Sequence, residues 1–132
     1  MTLYLDASAL VKRYVAEEGS DLIIDAMQGA GSWTICRIGY VEVARAVHLA
    51  AGRPALNRFR RDWPAFDVVE VDAELAERAA ELALRTDLRS LDALHLAAAS
   101  LLPAPGPTVA TWDGRLHRAA REAGLTTLPP EL

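Results

Sequence analysis

LYLDASALVKRY, residues 3–14, decides the architecture. Leu3-Tyr4-Leu5 is a short apolar run of the kind that fills a strand covered on both faces. Asp6 ends it, and a helical pattern opens at Ala7. The same order of strand, acid and helix returns near the other end of the chain. There Thr108–Thr111 reads as a strand, Trp112 follows, and Asp113 heads a helical stretch to Ala123.

Strand-like and helix-like stretches alternate between these two points. Helical patterns cover Ala7–Val15 and Ser20–Gln28, broken at Gly19, and Trp33–Ile35 is a second strand. From Arg37 to about Ala51 a helix is expected, with Ile38, Val41, Arg45 and His48/Leu49 at helical spacing and Gly52 closing it. Pro54 opens another helix at its first turn. Val68–Val71 is a third strand, and Asp72 caps a helix striped by Leu75, Ala76, Ala79, Leu82 and Ala83. Ser90 is read as the N-cap of a helix to about Leu102, and the Pro103–Pro107 turn ends it. Leu125–Leu128 is a short fifth strand. Parallel neighbours need crossovers, so this alternation predicts an α/β three-layer sandwich. Its centre is a mostly parallel sheet of four or five strands, within one domain over residues 1–132. In such sheets the ligand site lies off the carboxyl edge of the strands, which is where Asp6 stands.

Composition narrows the function. The chain has 132 residues, 52% hydrophobic and 24% charged, the balance of a globular domain. No apolar run reaches the ~18–20 residues of a membrane span, and no signal peptide is evident. A single cysteine, Cys36, excludes an internal disulfide and fits a reducing cytoplasm; it reads as a small buried apolar residue. Fourteen basic against eighteen acidic residues give a net charge of −4, which counts against coating nucleic acid through bulk charge. It leaves room for a nuclease whose acids gather at a metal ion.

Four acids are candidates for such a gathering. Asp6 and Asp113 follow strands whose ends share one edge, and Asp92 lies in the first turn of the otherwise apolar SLDALHLA helix. Glu42, in YVEVARA, turns toward the crevice if its helix passes over the sheet edge. Acids crowded together raise one another's pKa, and a divalent ion removes that cost. Mg²⁺ takes hard oxygen ligands, keeps several waters and needs only one or two carboxylates directly. Ser8 and Thr111, each two residues from an acid, can hold a carboxylate rotamer. Each is equally readable as a cap or turn residue. Lys12, Arg13 and Arg89 lie near these motifs and are candidates for RNA phosphate contact, with Arg89 favoured. His95 reads as a packed histidine with one hydrogen bond rather than a general base, and Trp112 as core rather than a base-stacking platform.

LYLDASALVKRY, YVEVARA, LRSLDALHLA and VATWDGRL together resemble a PIN-domain ribonuclease, and more narrowly the VapC toxins of bacterial toxin–antitoxin pairs. The resemblance spans nearly the whole chain and implies a Mg²⁺- or Mn²⁺-dependent endoribonuclease. On it, Asp6, Glu42, Asp92 and Asp113 are the catalytic acids, with Asp6, Asp92 and Asp113 as metal ligands. It also implies an RNA substrate, a homodimer and a cognate VapB-type antitoxin whose tail enters the groove. The apolar faces of the first two helices suit a dimer face or the core alike. Two features depart from the pattern. Gly39 lies inside the Glu42 helix, suggesting a later start. Gly114 and Arg115 occupy positions where some relatives carry a further acid, which leaves the second metal position open.

Other functions fit less well. An aspartyl-phosphate phosphatase would want an acid two residues after Asp6, where Ser8 stands. A catalytically silent module of the same fold would have little use for all four acids. A dinucleotide site lacks its glycine-rich fingerprint.

Overall fold

The computed structural model describes all 132 residues. Five strands form one parallel sheet: β1 (Thr2–Leu5), β2 (Ser32–Cys36), β3 (Asp67–Val69), β4 (Thr108–Ala110) and β5 (Thr126–Leu128). Their spatial order is β3-β2-β1-β4-β5. The chain therefore winds outward from β1 to β3 and then returns to β1's other side. The winding direction reverses between β1 and β4, where Tyr4 pairs with Val109 and Leu5 with Ala110. Such a switch point opens a crevice at the carboxyl edge.

Six helices cover the sheet: α1 (Ala7–Tyr14), α2 (Ser20–Gly29), α3 (Ile38–Asp62), α4 (Ala73–Arg85), α5 (Ser90–Ser100) and α6 (Gly114–Glu122). The alternation of β1 side chains sorts them into two layers. Leu3 and Leu5 point to one face and pack with Leu10, Ile23, Met27, Val43, Val47 and Phe59 of α1, α2 and α3. Tyr4 points to the other and packs with Leu75, Leu96, Ala97 and Leu116 of α4, α5 and α6. Leu3, Tyr4 and Leu5 are all fully buried, as a central parallel strand requires. Burying each leucine contributes roughly 1.5–3 kcal/mol.

The expected three-layer parallel architecture is the observed one, with several local shifts. The third strand starts a residue earlier than expected and ends at Val69, because Thr34, Ile35 and Cys36 of β2 pair with Asp67, Val68 and Val69. Arg89, not Ser90, stands at the N-cap position of α5, and Ser90 is already helical. The apolar faces of α1 and α2 are core: Leu10, Ile23 and Met27 are buried.

The largest correction concerns α3. The expected stripe of Ile38, Val41, Arg45 and His48/Leu49 is out of phase, and Val41 and Leu49 are 61% and 66% exposed. The inward stripe is Gly39, Val43 and Val47, small or β-branched residues that let the helix lie close to the sheet. Gly39 does not delay the helix, which begins at Ile38. A Cβ there would stand 2.5 Å from Ile35 Cδ1 and 2.7 Å from its Cγ1, so the glycine is the point of closest approach between α3 and β2. Gly52, at φ +76°, kinks α3 where closure was expected, and Pro54 opens the second segment.

Gly39→Ala should therefore destabilise the fold. Helix propensity favours alanine by about 1 kcal/mol, but overpacking against fully buried Ile35 costs about 1–3 kcal/mol. Urea unfolding should show a lower midpoint, and a midpoint at or above wild type would show that α3 can withdraw freely from the sheet.

Candidate active site

Each acid is delivered to the carboxyl edge by ordinary local chemistry. Asp6 follows β1 in an extended conformation and caps α1, its Oδ1 accepting the Ala9 N–H at 2.9 Å. Asp113 follows β4 and caps α6, its Oδ1 accepting the Arg115 and Leu116 N–H groups at 3.0 and 3.1 Å. Asp92 sits in the first turn of α5, where an acid matches the helix dipole. Glu42 lies one turn beyond Gly39 on α3.

Asp6 is the most constrained of the four, at 4% exposure. Its Oδ1 also accepts the Ser8 hydroxyl at 2.7 Å, and its Oδ2 accepts the Thr111 hydroxyl at 2.5 Å. The two hydroxyls in turn accept from the next segment. Ser8 Oγ takes the Trp112 N–H at 2.8 Å, and Thr111 Oγ1 takes the Asp113 N–H at 3.1 Å. Two side chains thus fix the Asp6 rotamer and the backbone leading to Asp113 together. A carboxylate offers about four acceptor positions. Three are filled on Asp6, leaving one on Oδ2.

Electrostatics tie these acids into one group. Burial pushes the Asp6 carboxyl above its ordinary value, opposed by the Thr111, Ser8 and Ala9 hydrogen bonds. Asp92 is also raised, by burial first and then by the charges of Asp113 and Asp6, with the Arg89 backbone hydrogen bond opposing. Asp113 and Asp6 therefore lie close enough to Asp92 to disfavour its ionised form. No three acidic, histidine or cysteine side chains stand within chelating distance of one point. That arrangement suits an ion held through a few carboxylate oxygens and several waters better than one caged by protein.

Glu42 enters through His95. Its Oε1 lies 2.8 Å from His95 Nε2, and the imidazole's Nδ1 lies 2.7 Å from the Tyr4 hydroxyl. Tyr4 Oη also accepts the Cys36 N–H at 3.2 Å. His95 is packed at 2% exposure, as expected, but holds two hydrogen-bond partners rather than one. Sequence reasoning passed over Tyr4 as a site residue. Its signal was present: strand alternation puts it on the face of β1 opposite Leu3 and Leu5, two residues before Asp6.

The basic candidates divide. Arg89 is exposed at the head of the Asp92 helix, open to a phosphate. Lys12 is not: it is 8% exposed, and its ammonium donates to Glu17 Oε1 and the Glu18 carbonyl. It lies 4.7 Å from the Trp112 ring centroid. Burying that charge requires such partners, so Lys12 braces the loop after α1 against Trp112, and its ammonium is engaged within the protein. Arg13 is likewise engaged, its Nε donating to Asp62 at 3.1 Å. Half-buried Trp112 packs against the core of the α1–α3 layer, as read.

Comparison with known proteins bears on this geometry. A family model for the PIN domain matches residues 3–122. Ribonuclease VapC45 of Mycobacterium tuberculosis is 37% identical, over 98% of this chain and 96% of its own. Ribonuclease VapC46 of the same species is 34% identical over 97% of each. Among solved structures, Mycobacterium tuberculosis VapC20, described as a sarcin–ricin loop cleaving toxin, matches with a TM-score of 0.77 and 16% identity, covering 89% of this chain and 94% of its own. A toxin–antitoxin complex from Klebsiella pneumoniae matches with a TM-score of 0.75 and 21% identity over 98% and 99%. At those identities the two structures speak to the fold. With nearly its full length matched at the level of sequence, the chain belongs to the PIN-domain family and, within it, to the VapC ribonucleases.

Proposed function

We propose that this chain is a Mg²⁺- or Mn²⁺-dependent endoribonuclease acting as the toxin of a toxin–antitoxin pair. The observation that carries the reading is the buried Asp6 carboxylate at the switch point, held by three hydrogen bonds with one acceptor position to spare, beside an Asp92 that Asp113 and Asp6 disfavour as an anion. Asp6, Asp92 and Asp113 would hold the ion between them, in part through its waters, since no three of the acids converge on one point. When bound, a divalent ion supplies Lewis-acid polarisation of a phosphodiester and neutralises charge in the transition state.

The protein's own groups supply the rest. Ser8 and Thr111 keep the Asp6 rotamer fixed. Glu42, held at Oε1 by His95, keeps Oε2 to accept the proton of a water attacking the phosphorus in line. The P–O bond to the leaving sugar oxygen breaks, that oxygen takes up a proton from a solvent water, and Glu42 returns the proton it accepted to solvent. Exposed Arg89 contacts a backbone phosphate beside Asp92. Single-stranded RNA is the substrate class, since its backbone reaches an open edge without unwinding. The phosphatase alternative weakens further, because the Ser8 hydroxyl is committed to Asp6.

The whole chain, residues 1–132, forms one PIN domain on this reading, since β5 beyond the matched segment pairs with β4. Its partners are a VapB-type antitoxin and a second copy of itself. Support for the antitoxin comes from the Klebsiella pneumoniae complex and from a VapBC2 structure of Rickettsia felis, both alike in fold. No helix is long and apolar enough to cross a membrane. With its one cysteine buried, the chain suits a cytoplasmic setting.

Asp6→Asn should abolish Mg²⁺-dependent cleavage of single-stranded RNA while wild type cleaves; equal rates would remove Asp6 from the mechanism. Thr111→Val, which keeps the shape but loses the hydroxyl, should cost roughly 10–100-fold in activity or Mn²⁺ affinity. Isothermal titration with Mn²⁺ would separate those two outcomes.

The raised carboxyls give a second test. Asp6 and Asp92 bind protons more tightly folded than unfolded. Their protonation thus favours the fold below the ordinary aspartate pKa, and this contribution is lost as pH rises through the raised folded values. At pH 7 in EDTA, Asp92→Asn should melt above wild type, and the gain should vanish near pH 4. Added Mg²⁺ should raise the melting temperature of wild type more than that of the variant. A variant melting below wild type in EDTA at pH 7 would show that Asp92 carries no electrostatic penalty.

A further inference from the structure

The hydrogen bonds around His95 have a direction that the backbone fixes. The amide of Cys36, at the carboxyl end of β2, can only donate, and it donates to Tyr4 Oη. The tyrosine's own proton then needs an acceptor, and His95 Nδ1, 2.7 Å away, is the one beside it. A bare Nδ1 puts the imidazole proton on Nε2, aimed at Glu42 Oε1. Every proton in this chain has a partner, and no buried side-chain polar atom of the protein lacks one. Protonating Nδ1 as well would aim two N–H groups at Tyr4 Oη and strand the hydroxyl proton at a residue with no exposure.

We propose that His95 is a positioning residue for Glu42: locked by Tyr4 through Nδ1, it donates Nε2–H to Oε1 and leaves Oε2 as the working oxygen. The proposal rests on the reading of Glu42 as the proton acceptor of the ribonuclease. A glutamate on an open helix face samples many rotamers, whereas this one is tied to a buried ring. The ring is fixed from three sides. It belongs to α5, three residues after Asp92 and on the same helix face. It packs edge-on to Tyr4, with centroids 5.9 Å apart and planes at 74°. Its Cε1 faces α3 at Gly39, 3.6 Å from where a Cβ would stand, an ordinary contact distance. The close approach of α3 at Gly39 is therefore what carries Glu42, one turn on, within reach of Nε2. No cation on α3, Arg45 included, pairs with Glu42, whose side-chain partner is His95.

Two measurements test this. Long-range ¹H–¹⁵N NMR on the ¹⁵N-labelled wild-type chain should show His95 as the Nε2–H tautomer, retained in Glu42→Gln and no longer uniform in Tyr4→Phe. An Nδ1–H tautomer in wild type would overturn the proposal. Kinetics on single-stranded RNA with Mg²⁺ form the second arm. His95→Leu should lower kcat by roughly 10–100-fold with little change in KM. His95→Gln, whose amide N–H reaches about as far as Nε2–H, should recover most of that loss. His95→Leu should cost nothing further once Glu42 is already Gln. Unchanged kcat in His95→Leu, or a loss that Gln does not recover and that multiplies with Glu42→Gln, would overturn it. Should His95→Leu not fold, Tyr4→Phe, which removes a single oxygen, must lower kcat in the same way; an unchanged kcat there would also overturn it. If wild type cleaves no RNA, the ribonuclease reading fails, while the tautomer arm still accepts or rejects the proton arrangement at Glu42.

Discussion

The hydrogen bond from Thr111 to Asp6 Oδ2 joins two strands whose sequences lie about a hundred residues apart. Around it the rest of the site is organised. β1 and β4 are neighbours only because the winding of the sheet reverses between them, and a reversal leaves a gap at the carboxyl edge that no crossover fills. Without Thr111 and Ser8, a desolvated aspartate in that gap would be an unpaired buried anion, among the most costly groups in a protein interior. With them, it is an anion kept in one orientation and still short of one partner. No cationic side chain is among its hydrogen-bond partners, which is the physical support for the metal proposed above.

Much of this was legible in sequence because the signals are local. An acid directly after a short apolar run is both a helix cap and a strand terminus, and Asp6 and Asp113 each satisfy both conditions. Gly52 and Pro54 likewise mark the α3 kink through their own backbone preferences. What could not be read depends on approach between remote elements. The inward face of α3 is defined by a glycine and two valines, whose weak hydrophobic signal was outvoted by Val41 and Leu49. That face is chosen by how closely the helix can press on Ile35, a property of β2 and not of α3. The surroundings of Lys12 are hidden from the sequence for the same reason. A lysine one turn past a catalytic motif is ordinarily a solvated cation, and only the return of the chain at Glu17 and Glu18 encloses it.

The charge balance has a structural counterpart. An acidic chain that handles a polyanion must keep its basic residues free where the substrate lies and its acids covered elsewhere. Arg37 is spent on Glu70 in a two-pronged pair at 2.6 and 2.7 Å, and Arg13 and Lys12 are spent internally. Arg115 and Arg118 both lie within 4 Å of Asp87, in exposed pairs worth little in stability and easily exchanged for a phosphate. On the proposed function, attraction of nucleic acid would fall to a few local arginines near Asp92 and Asp113, not to the net field of the molecule.

The site is divided between two layers that pack independently. Asp6 and Glu42 sit at the ends of elements whose cores lie on the Leu3 and Leu5 face of the sheet, and Asp92 and Asp113 on elements of the Tyr4 face. Hydrophobic packing fixes each layer well but is tolerant of small sliding between helices on opposite sides of a sheet. Hydrogen bonds are not tolerant in that way, since a shift of a few tenths of an ångström breaks their geometry. Thr111 to Asp6 ties the ends of β4 and β1, and His95 to Glu42 ties α5 on one face of the sheet to α3 on the other. The relative placement of all four carboxylates is thus set by polar contacts at the edge, while apolar contacts in the interior only make that edge available.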